Sequence, residues 1–247
     1  MKIVVIGGTG LIGKKLVGNL QMAGHEVVPA SPNTGVDTVS GKGLAEVLAG
    51  ADIVVDVANS PSFEDSAVMY FFETAGNNIA AAEKAAGIKH HIALSVVGTE
   101  KLQDSGYFRA KLVQENIIKA AGIPYTIVRA TQFFEFLTSI AYSATEGETV
   151  RLSSALFQPM SAEDVASMLA TITLQKPVNG IVDIAGPQKI SLHDAVAAVL
   201  TASQDSRKMI RDEQAAYFGI MLNDQSLTPQ GSAQLGKQTL QDWLAGA

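Results

Sequence analysis

Apolar residues in the first 130 positions alternate between two spacings, one typical of buried strands and one typical of helices. Short aliphatic runs that end in glycine or turn residues predict strands, and longer stretches with apolar residues three and four positions apart predict helices. Predicted strands cover residues 2–6, 25–30, 53–57, 91–97 and 125–130, and predicted helices cover residues 11–20, 44–49, 71–86 and 107–121. Because strands and helices alternate, we expect an α/β fold with a doubly wound parallel sheet and helices on both faces.

The pattern is less regular after Ala130. The predicted elements there are helices over residues 133–145 and 240–244, helices that begin at the capping residues Ser161 and Ser191, an extended segment over 149–153 and a strand over 181–185. The sequence shows no linker, repeat or low-complexity tract. We therefore expect one domain over residues 1–247, with a core in residues 1–130 and a small C-terminal lobe in residues 131–247.

Composition narrows the choice of partners. The 247 residues include 18 basic and 24 acidic side chains, which gives 18 − 24 = −6 with no run of like charges, and this argues against nucleic acid or an anionic membrane as the partner. No cysteine is present, so disulfides and thiolate chemistry are excluded and a reducing compartment is favoured. No membrane-spanning or signal-peptide pattern is seen. We expect a cytoplasmic protein that acts on a small molecule; its oligomeric state does not follow from the sequence.

A glycine-rich loop, Gly7-Gly8-Thr9-Gly10-Leu11-Ile12-Gly13, lies directly between the first predicted strand and the first predicted helix. Glycines at its first, fourth and seventh places permit a tight turn, a close approach of main chain to ligand, and tight packing of the helix. The helix N-terminus adds amide donors and the positive end of a dipole, which suit phosphate. The Gly-Lys-Ser/Thr ending of a Walker loop is missing. We therefore predict a Rossmann-like fold whose dinucleotide pyrophosphate is bound by Gly7, Thr9, Gly10, Leu11, Ile12 and Gly13.

The end of the second predicted strand concerns the choice of cofactor. An acidic residue there would bind the ribose 2′-hydroxyl of NAD, but this chain has Ala30-Ser31-Pro32-Asn33. Without a carboxylate a 2′-phosphate is not repelled, and Ser31 and Asn33 can donate hydrogen bonds to it. We predict NADP, with NAD as the alternative, because no arginine or lysine stands at this place and Ser-Pro-Asn is equally a plain turn.

Other polar and aromatic residues follow predicted strands. Asn59 and Ser60 come after the strand over residues 53–57, at the sheet edge where ligands of such folds bind, so we place them beside the cofactor. His90 and His91 have no carboxylate at metal-ligand spacing, and no metal is assigned. The aromatic residues in segment 132–136 form either an apolar wall near the nicotinamide or simply part of the core.

Tyr107 and Lys111 stand four residues apart near the start of a predicted helix, so both side chains lie on one helix face. A nearby ammonium stabilises tyrosinate and lowers the pKa of the phenol toward a range useful for proton transfer. This helix follows the strand over residues 91–97, whose end, Ser95-Val96-Val97-Gly98-Thr99, offers hydroxyl groups at the ligand-binding edge. The placement favours a catalytic pair over an ordinary surface pair.

The chain resembles the short-chain dehydrogenase/reductase superfamily, and more narrowly its atypical branch of epimerase-like and nitrogen-metabolite-repression-like NAD(P)-binding proteins. The resemblance spans nearly the whole chain, and it is carried by the glycine loop, Ala51-Asp52-Ile53-Val54-Val55-Asp56, Leu94-Ser95-Val96-Val97-Gly98, Tyr107 with Lys111, and Ile123-Pro124-Tyr125-Thr126-Ile127-Val128-Arg129-Ala130. It implies that Tyr107 is the general acid or base, that Lys111 binds ribose and tunes Tyr107, and that Ser95 polarises the substrate oxygen.

Some correspondences stay open. Val97 or Thr99 can equally occupy the serine position, and with Val97 the oxyanion donor would be missing. The resemblance places Asn78 where the family often uses a structural asparagine, and Asp37 where relatives use an aspartate near the adenine, although a solvated turn aspartate is the other interpretation. Arg129, at the end of its strand, either binds an anionic substrate group or pairs with a carboxylate.

Three functions are compatible with these residues. The leading hypothesis is an NAD(P)-dependent oxidoreductase that transfers hydride between the nicotinamide and a small carbonyl or quinone, with Tyr107 moving the proton. The second is a non-catalytic NADP-binding redox sensor, which needs no acid. The third is an epimerase-like enzyme, whose sugar-nucleotide site would require a basic pocket that the C-terminal lobe does not display.

Overall fold

The computed structural model describes residues 1–246 and has alternating strands and helices in its first half. In chain order these are β1 (Lys2–Ile6), α1 (Leu11–Met22), β2 (Glu26–Ala30), α2 (Leu44–Leu48), β3 (Ile53–Asp56), α3 (Asp65–Ala86), β4 (His90–Val96), α4 (Gly106–Ala120) and β5 (Tyr125–Ala130). A 3-10 turn, Pro32–Thr34, follows β2. Apolar periodicity and glycine-terminated helices account for this order.

The second half contains shorter elements. They are a 3-10 turn (Phe134–Phe136), α5 (Leu137–Ser143), β6 (Thr145–Glu146), β7 (Thr149–Leu152), β8 (Leu156–Phe157), α6 (Ala162–Thr173), β9 (Gly180–Ala185), β10 (Ile190–Ser191), α7 (Leu192–Ala202), β11 (Lys208–Arg211), β12 (Gln234–Leu235) and α8 (Leu240–Ala245). Within the described residues, no helix is both long and apolar enough to cross a membrane.

The central sheet has seven strands in the order β12-β9-β5-β4-β3-β1-β2. β1 pairs in parallel with β2 on one side and with β3 on the other, so Ile6 lies opposite both Ala30 and Asp56. The chain therefore reverses direction across the sheet at β1, and the residues that follow β1, β2 and β3 emerge at one edge. In doubly wound sheets this switch point forms the ligand crevice. The predicted Rossmann-like fold class is confirmed.

The chain divides into two compact units. The first comprises residues 1–129 and 165–182, and the second comprises residues 130–164 and the chain from Asp183 onward. The first unit has a core of aliphatic side chains from β1, β3 and the helices that cover them, including Val4, Ile6, Val54 and Ile79. The predicted division of a single domain at residue 130 stays a prediction.

In the second unit, β7 lies between β6 and β11, and β8 pairs with β10. Residues 133–145, predicted as one helix, form a 3-10 turn and then α5, and Glu135 of that turn accepts hydrogen bonds from the N–H of Ala162 at 3.1 Å. The strand β11, which the sequence pattern did not predict, pairs in parallel with β7 about sixty residues earlier. In the first unit, α3 begins at Asp65, six residues before its predicted start, because buried Val68 extends the apolar face.

Candidate active site

The glycine loop between β1 and α1 is packed so closely that side chains are excluded. Gly7 has a φ of +78°, and its N–H donates to the carbonyl oxygen of Ala30 at 2.8 Å. A Cβ on Gly7 would lie 2.8 Å from the main-chain nitrogen of Ala58, and a Cβ on Gly13 would lie 2.1 Å from the carbonyl oxygen of Gly7. The loop thus holds α1 directly against the ends of β1 and β3.

The N-terminus of α1 is open toward solvent. Gly10 occupies the N-cap, no side chain caps the helix, and its first turn has no acidic residue. Thr9 is half-buried, Gly10 is exposed and Leu11 is 45% exposed. The N–H groups of Leu11, Ile12 and Gly13 have no carbonyl partner four residues earlier within the helix. This end therefore presents main-chain donors and a positive dipole, as a pyrophosphate requires.

The residues after β2 lie beside this loop. Ser31 is 6% exposed, and its hydroxyl oxygen is buried without a hydrogen bond from any residue between 1 and 246. Asn33 is exposed on the 3-10 turn. Both features fit a bound dinucleotide. The Ser31 hydroxyl is a buried polar group without a partner. The glycine loop, which leaves no room for a Cβ, allows the main chain to approach a ligand closely.

Asp37 is engaged in its own turn. Its carboxylate accepts hydrogen bonds from the Ser40 hydroxyl at 2.8 Å and from the Val39 N–H at 2.9 Å, and these bonds lower its pKa. Asn78 on α3 donates to the carbonyl oxygens of Thr38 and Val39 at 2.9 and 2.8 Å, so it supports the same segment. Asp37 therefore has the contacts of a turn aspartate, and Asn78 those of a structural asparagine.

The loop after β3 has a buried anchor and an exposed tip. Asp56 is 4% exposed and accepts a hydrogen bond from the Ala58 N–H at 3.0 Å. Asn59 is exposed, whereas Ser60 is buried and its hydroxyl accepts from the Ser62 N–H at 3.3 Å. Asn59 thus remains available to a ligand, and Ser60 is partly used in shaping the loop.

Tyr107 lies in the first turn of α4 and is half-buried among aromatic rings. Its ring centroid is 5.6 Å from that of Phe63, 6.1 Å from that of Phe72 and 5.8 Å from that of Phe108. Burial raises the pKa of the phenol above its ordinary value of 10, opposite to the lowering that the Tyr-x-x-x-Lys spacing implies. Its hydroxyl has no hydrogen-bond partner in the described part of the chain, so it is free for a ligand.

Ser95 points into the interior. Its hydroxyl donates to Glu115 at 2.7 Å, and the same carboxylate accepts two hydrogen bonds from Arg129, each at 2.8 Å. Burial opposes the charge on Glu115, but the hydrogen bonds from Arg129 and Ser95 outweigh it and lower the pKa. Of the alternatives, Thr99 donates to the carbonyl oxygen of Val96 at 2.5 Å, and Val97 has no hydroxyl. Neither Ser95 nor Thr99 offers a free hydroxyl, and Arg129 pairs with a carboxylate.

Lys111 also points inward and is 2% exposed. Its ammonium donates to the carbonyl oxygen of Leu94 at 2.9 Å and to Oε1 of Gln114, and lies 4.5 Å from the centroid of the Phe72 ring. Burial lowers the pKa of Lys111 to about 8, although Asp56 and Glu115 oppose this. The structure thus places Tyr107, Lys111 and Ser95 on neighbouring elements but directs only the Tyr107 hydroxyl away from internal partners.

Sequence reasoning missed the residues that fix these side chains. Gln114 and Glu115 follow Lys111 at three and four positions, so all three share a helix face, and this spacing was the available signal. The position of Asp56, a carboxylate at the end of a buried strand, was a second sequence signal that this residue has an internal partner. No local pattern indicated that Glu115 would pair with Arg129, because the two residues are brought together only when β5 joins the sheet.

The two histidines at the start of β4 have separate structural partners. His90 contacts the Thr126 hydroxyl at 2.9 Å, and burial lowers its pKa to about 4. Nδ1 of His91 lies 2.6 Å from Glu83, both residues being buried. Burial opposes a charge on His91, but Glu83 outweighs it, so the pKa is raised. Among residues 1–246, no group of three or more acidic or histidine side chains is arranged to hold a metal.

The aromatic segment after β5 lies in the second unit. Phe134 is buried with its ring centroid 5.6 Å from that of Trp243, and Phe133 packs against Phe136 at 5.7 Å. The amide oxygen of Gln132 is buried without a partner in residues 1–246. Phe134 therefore belongs to the core of that unit, as the second of the two sequence interpretations holds.

The switch-point crevice, the glycine loop and the uncapped helix define a dinucleotide-binding protein of the Rossmann type. Residues 7–176 match the family described as NAD(P)H-binding, and the chain belongs to that family. The predicted superfamily is thereby confirmed, as is the prediction of a nicotinamide dinucleotide as cofactor. The roles predicted for individual site residues stay predictions.

Known proteins similar to this chain include enzymes and an assembly factor. The chain is 27% identical over 211 residues to (4-alkanoyl-5-oxo-2,5-dihydrofuran-3-yl)methyl phosphate reductase of Streptomyces griseus, with 79% of this chain and 71% of the reductase covered. It is 25% identical over 230 residues to a photosystem II assembly factor of Cyanophora paradoxa, with 85% and 71% covered. A short-chain dehydrogenase/reductase superfamily protein of Agrobacterium tumefaciens with bound NAD has the same fold, with a TM-score of 0.73, 12% identity and 100% and 95% covered.

Together, family membership and the reductase relative support the predicted class, an NAD(P)-dependent oxidoreductase of the atypical short-chain dehydrogenase/reductase type.

Proposed function

We propose that this protein is an NADPH-dependent reductase of a small carbonyl or quinone compound, with Tyr107 as the proton donor. The observation that carries the proposal is the hydroxyl of Tyr107, which has no hydrogen-bond partner among residues 1–246 and, like any phenol, is protonated at neutral pH. A protonated, unengaged hydroxyl beside a dinucleotide-binding crevice can donate to an oxygen that gains negative charge.

The chain's own residues would hold the dinucleotide in two places. The main chain of Gly7, Gly10 and Gly13 and the first N–H groups of α1 would hold the pyrophosphate. Ser31 and Asn33 would donate to a 2′-phosphate, and the lack of a carboxylate at the end of β2 supports NADP over NAD. When bound, the reduced nicotinamide supplies a hydride to the carbonyl carbon.

Tyr107 then completes the reduction by giving its phenolic proton to the carbonyl oxygen, so that an alcohol and the oxidised dinucleotide result. Because Ser95 donates to Glu115, Tyr107 acts without a serine hydroxyl beside it. Burial raises the pKa of the phenol and so makes Tyr107 a weaker acid, which means that its proton is transferred only as the carbonyl oxygen becomes an alkoxide. The rings around Tyr107, with Phe63 65% exposed, suit an apolar substrate.

A second function, a redox sensor that binds NADPH without consuming it, is favoured by one observation. Two of the three side chains of the predicted catalytic set, Ser95 and Lys111, are engaged in internal contacts. A sensor requires cofactor binding but no proton donor. The similarity to an assembly factor, whose name describes no reaction, is compatible with this function.

One experiment separates the two functions. The purified protein is titrated with NADPH and with NADH by fluorescence, and a panel of aliphatic ketones, aromatic ketones and quinones is then added while reduced-nicotinamide absorbance is recorded. The reductase requires tighter binding of NADPH and its oxidation with at least one apolar acceptor. Binding without oxidation across the panel would favour the sensor, and failure to bind either dinucleotide would contradict both functions.

A further inference from the structure

The ammonium group of Lys111 makes two hydrogen bonds and one aromatic-ring contact inside the protein. An ammonium group has three N–H donors. Those of Lys111 face the Leu94 carbonyl oxygen, Oε1 of Gln114 and the ring of Phe72. A ligand of the nicotinamide ribose would need at least one donor directed out of the interior, and a side chain that is 2% exposed does not provide it.

The partners of Lys111 form a bridge across the first unit. Gln114, which is 3% exposed, accepts from Lys111 and donates through Nε2 to Asp56 at 2.9 Å. Asp56 in turn accepts from the Ala58 N–H at 3.0 Å. The bridge therefore runs from α4 through Gln114 to the end of β3.

Both ends of this bridge lie next to the candidate site. Ala58 is the residue that Gly7 abuts, since a Cβ on Gly7 would lie 2.8 Å from its nitrogen. At the other end, Phe72 carries the Lys111 ammonium on its face and contacts the ring of Tyr107 edge-on at 6.1 Å. The bridge thus connects the wall of the glycine loop with the surroundings of the proton donor.

We propose that Lys111 is a positioning residue that works through Gln114 and Asp56 to fix Tyr107 relative to the glycine loop, rather than a ligand of the cofactor ribose. The inference rests on the proposed reductase for its kinetic consequence, but the internal contacts can be tested without turnover. Misplacing a proton donor by about 1 Å costs up to about a hundredfold in rate, so loss of the bridge acts mainly on kcat.

The test compares Lys111→Met, Gln114→Met and the double variant, with Lys119→Met as the matched control. Lys119 lies on the same helix, but its side chain is 35% exposed and its ion pair with Glu115 is long, at 3.4 Å. We expect each bridge variant to lower kcat at least about tenfold while the Kd for NADPH changes less than about threefold. The double variant should lose no more than the single ones, because one bridge is broken in each case.

Two results would overturn the inference. If Lys111→Met raises the Kd for NADPH tenfold or more while Gln114→Met leaves it unchanged, Lys111 binds the cofactor. If Gln114→Met leaves kcat unchanged, the bridge does not position Tyr107. Gln114→Met retains the lysine charge, so it provides this test even if Lys111→Met does not fold.

An unfolding measurement tests the contacts when no substrate is turned over. The folded pKa of Lys111 is about 8 and its unfolded value is 10.5, so between these pH values the unfolded chain holds more protons. Stability of the wild type relative to Lys111→Met should therefore rise between pH 8 and pH 10, whereas no such rise should separate wild type from Lys119→Met. A flat difference for Lys111→Met would show that the lysine is not held in the interior, and would overturn the inference independently of the reductase function.

Discussion

The glycine loop and the first turns of α4 both follow the ends of parallel strands, yet they present different kinds of atoms. The loop offers main-chain N–H groups, and glycines at positions 7 and 13 are required because any Cβ would meet backbone. The α4 region offers one side-chain hydroxyl, that of Tyr107, while Lys111 and Ser95 turn inward. The conformation of the glycine loop is fixed by local backbone contacts. The orientation of the α4 side chains depends instead on buried charged residues that are distant in sequence.

In the proposed reductase this difference separates cofactor binding, at the glycine loop, from proton donation, at α4. A dinucleotide that is bound by main-chain atoms tolerates side-chain substitutions at positions other than the glycines. Relatives with different activities can therefore share this mode of cofactor binding. In the proposed reductase, proton donation at α4 depends on how Glu115, Gln114 and Asp56 pair in the interior. We therefore expect damage to the loop to abolish binding, and damage to the buried pairs to affect stability or rate.

The largest effect on stability is expected for Glu115→Gln. The change removes the bidentate carboxylate partner of Arg129, which is 8% exposed, while its ion pair with the half-exposed Glu100 is retained. Breaking a buried pair by removing one partner costs roughly 3–5 kcal/mol. Urea unfolding at pH 7 measures the loss, and the exposed Glu73→Gln on α3 is the control, expected to change stability by less than about 0.5 kcal/mol.

The pH dependence of the stability difference between wild type and Glu115→Gln tests whether Glu115 is ionised in the folded protein. The folded pKa of Glu115 is lowered below 4.5, so its contribution is present above that value and is lost as the pH falls through the folded pKa. The difference between wild type and Glu115→Gln should therefore shrink in acid. A difference that stays constant down to the acid transition would mean that Glu115 is not ionised in the fold.

Gly13→Ala tests whether the glycine loop binds the dinucleotide. Its Cβ would lie 2.1 Å from the Gly7 carbonyl oxygen, so the backbone must move and the amide cradle is lost. We expect the Kd for NADPH to rise at least about a hundredfold, near 2.7 kcal/mol. Isothermal calorimetry measures the affinity, and circular dichroism establishes that the variant is folded.

Gly18→Ala is the matched control because it lies in the same helix with no atom within 4 Å of the added Cβ. It should leave NADPH binding unchanged and stabilise the helix by up to about 1 kcal/mol. Equal affinities for Gly13→Ala and wild type would remove the loop from the binding site.

A smaller effect is expected for Asn33→Asp at the adenosine end. Asn33 is exposed, so the new carboxylate does not disturb the core, but it would repel a 2′-phosphate. The ratio of NADPH to NADH affinity should fall about tenfold, close to 1.4 kcal/mol. Asn77→Asp, an exposed position on α3, makes the same chemical change elsewhere and should leave the ratio unchanged. An unaltered ratio in Asn33→Asp would place the 2′ position away from this turn.

The glycine loop could be predicted because every requirement is local. Strand, turn and helix signals lie within the first 22 residues, and the backbone contacts of Gly7 and Gly13 follow from their spacing. The order of strands and helices up to Ala130 was predicted for the same reason, with boundaries shifted by one or two residues except at the start of α3.

The orientations of the Ser95 and Lys111 side chains could not be predicted from the sequence. Sequence spacing can place side chains on the same face of a helix, but it does not identify the residues that they contact in the folded protein. Ser95 donates to Glu115, twenty residues later, and Lys111 donates to Gln114, which in turn donates to Asp56, 58 residues earlier. The short strand β11 was missed on similar grounds, since its pairing partner lies far away in sequence. Such contacts form only once the sheet is assembled.

The central claim, that a protonated and unengaged Tyr107 drives a reductase, is tested most directly by Tyr107→Phe. Tyr70→Phe is the matched control, since Tyr70 is 62% exposed on α3 and outside the aromatic cluster. With the best acceptor from the carbonyl and quinone panel, Tyr107→Phe should bind NADPH within about threefold of wild type and lose roughly 10²–10⁴ of kcat, while Tyr70→Phe retains full activity. Turnover of Tyr107→Phe at the wild-type rate would contradict the account.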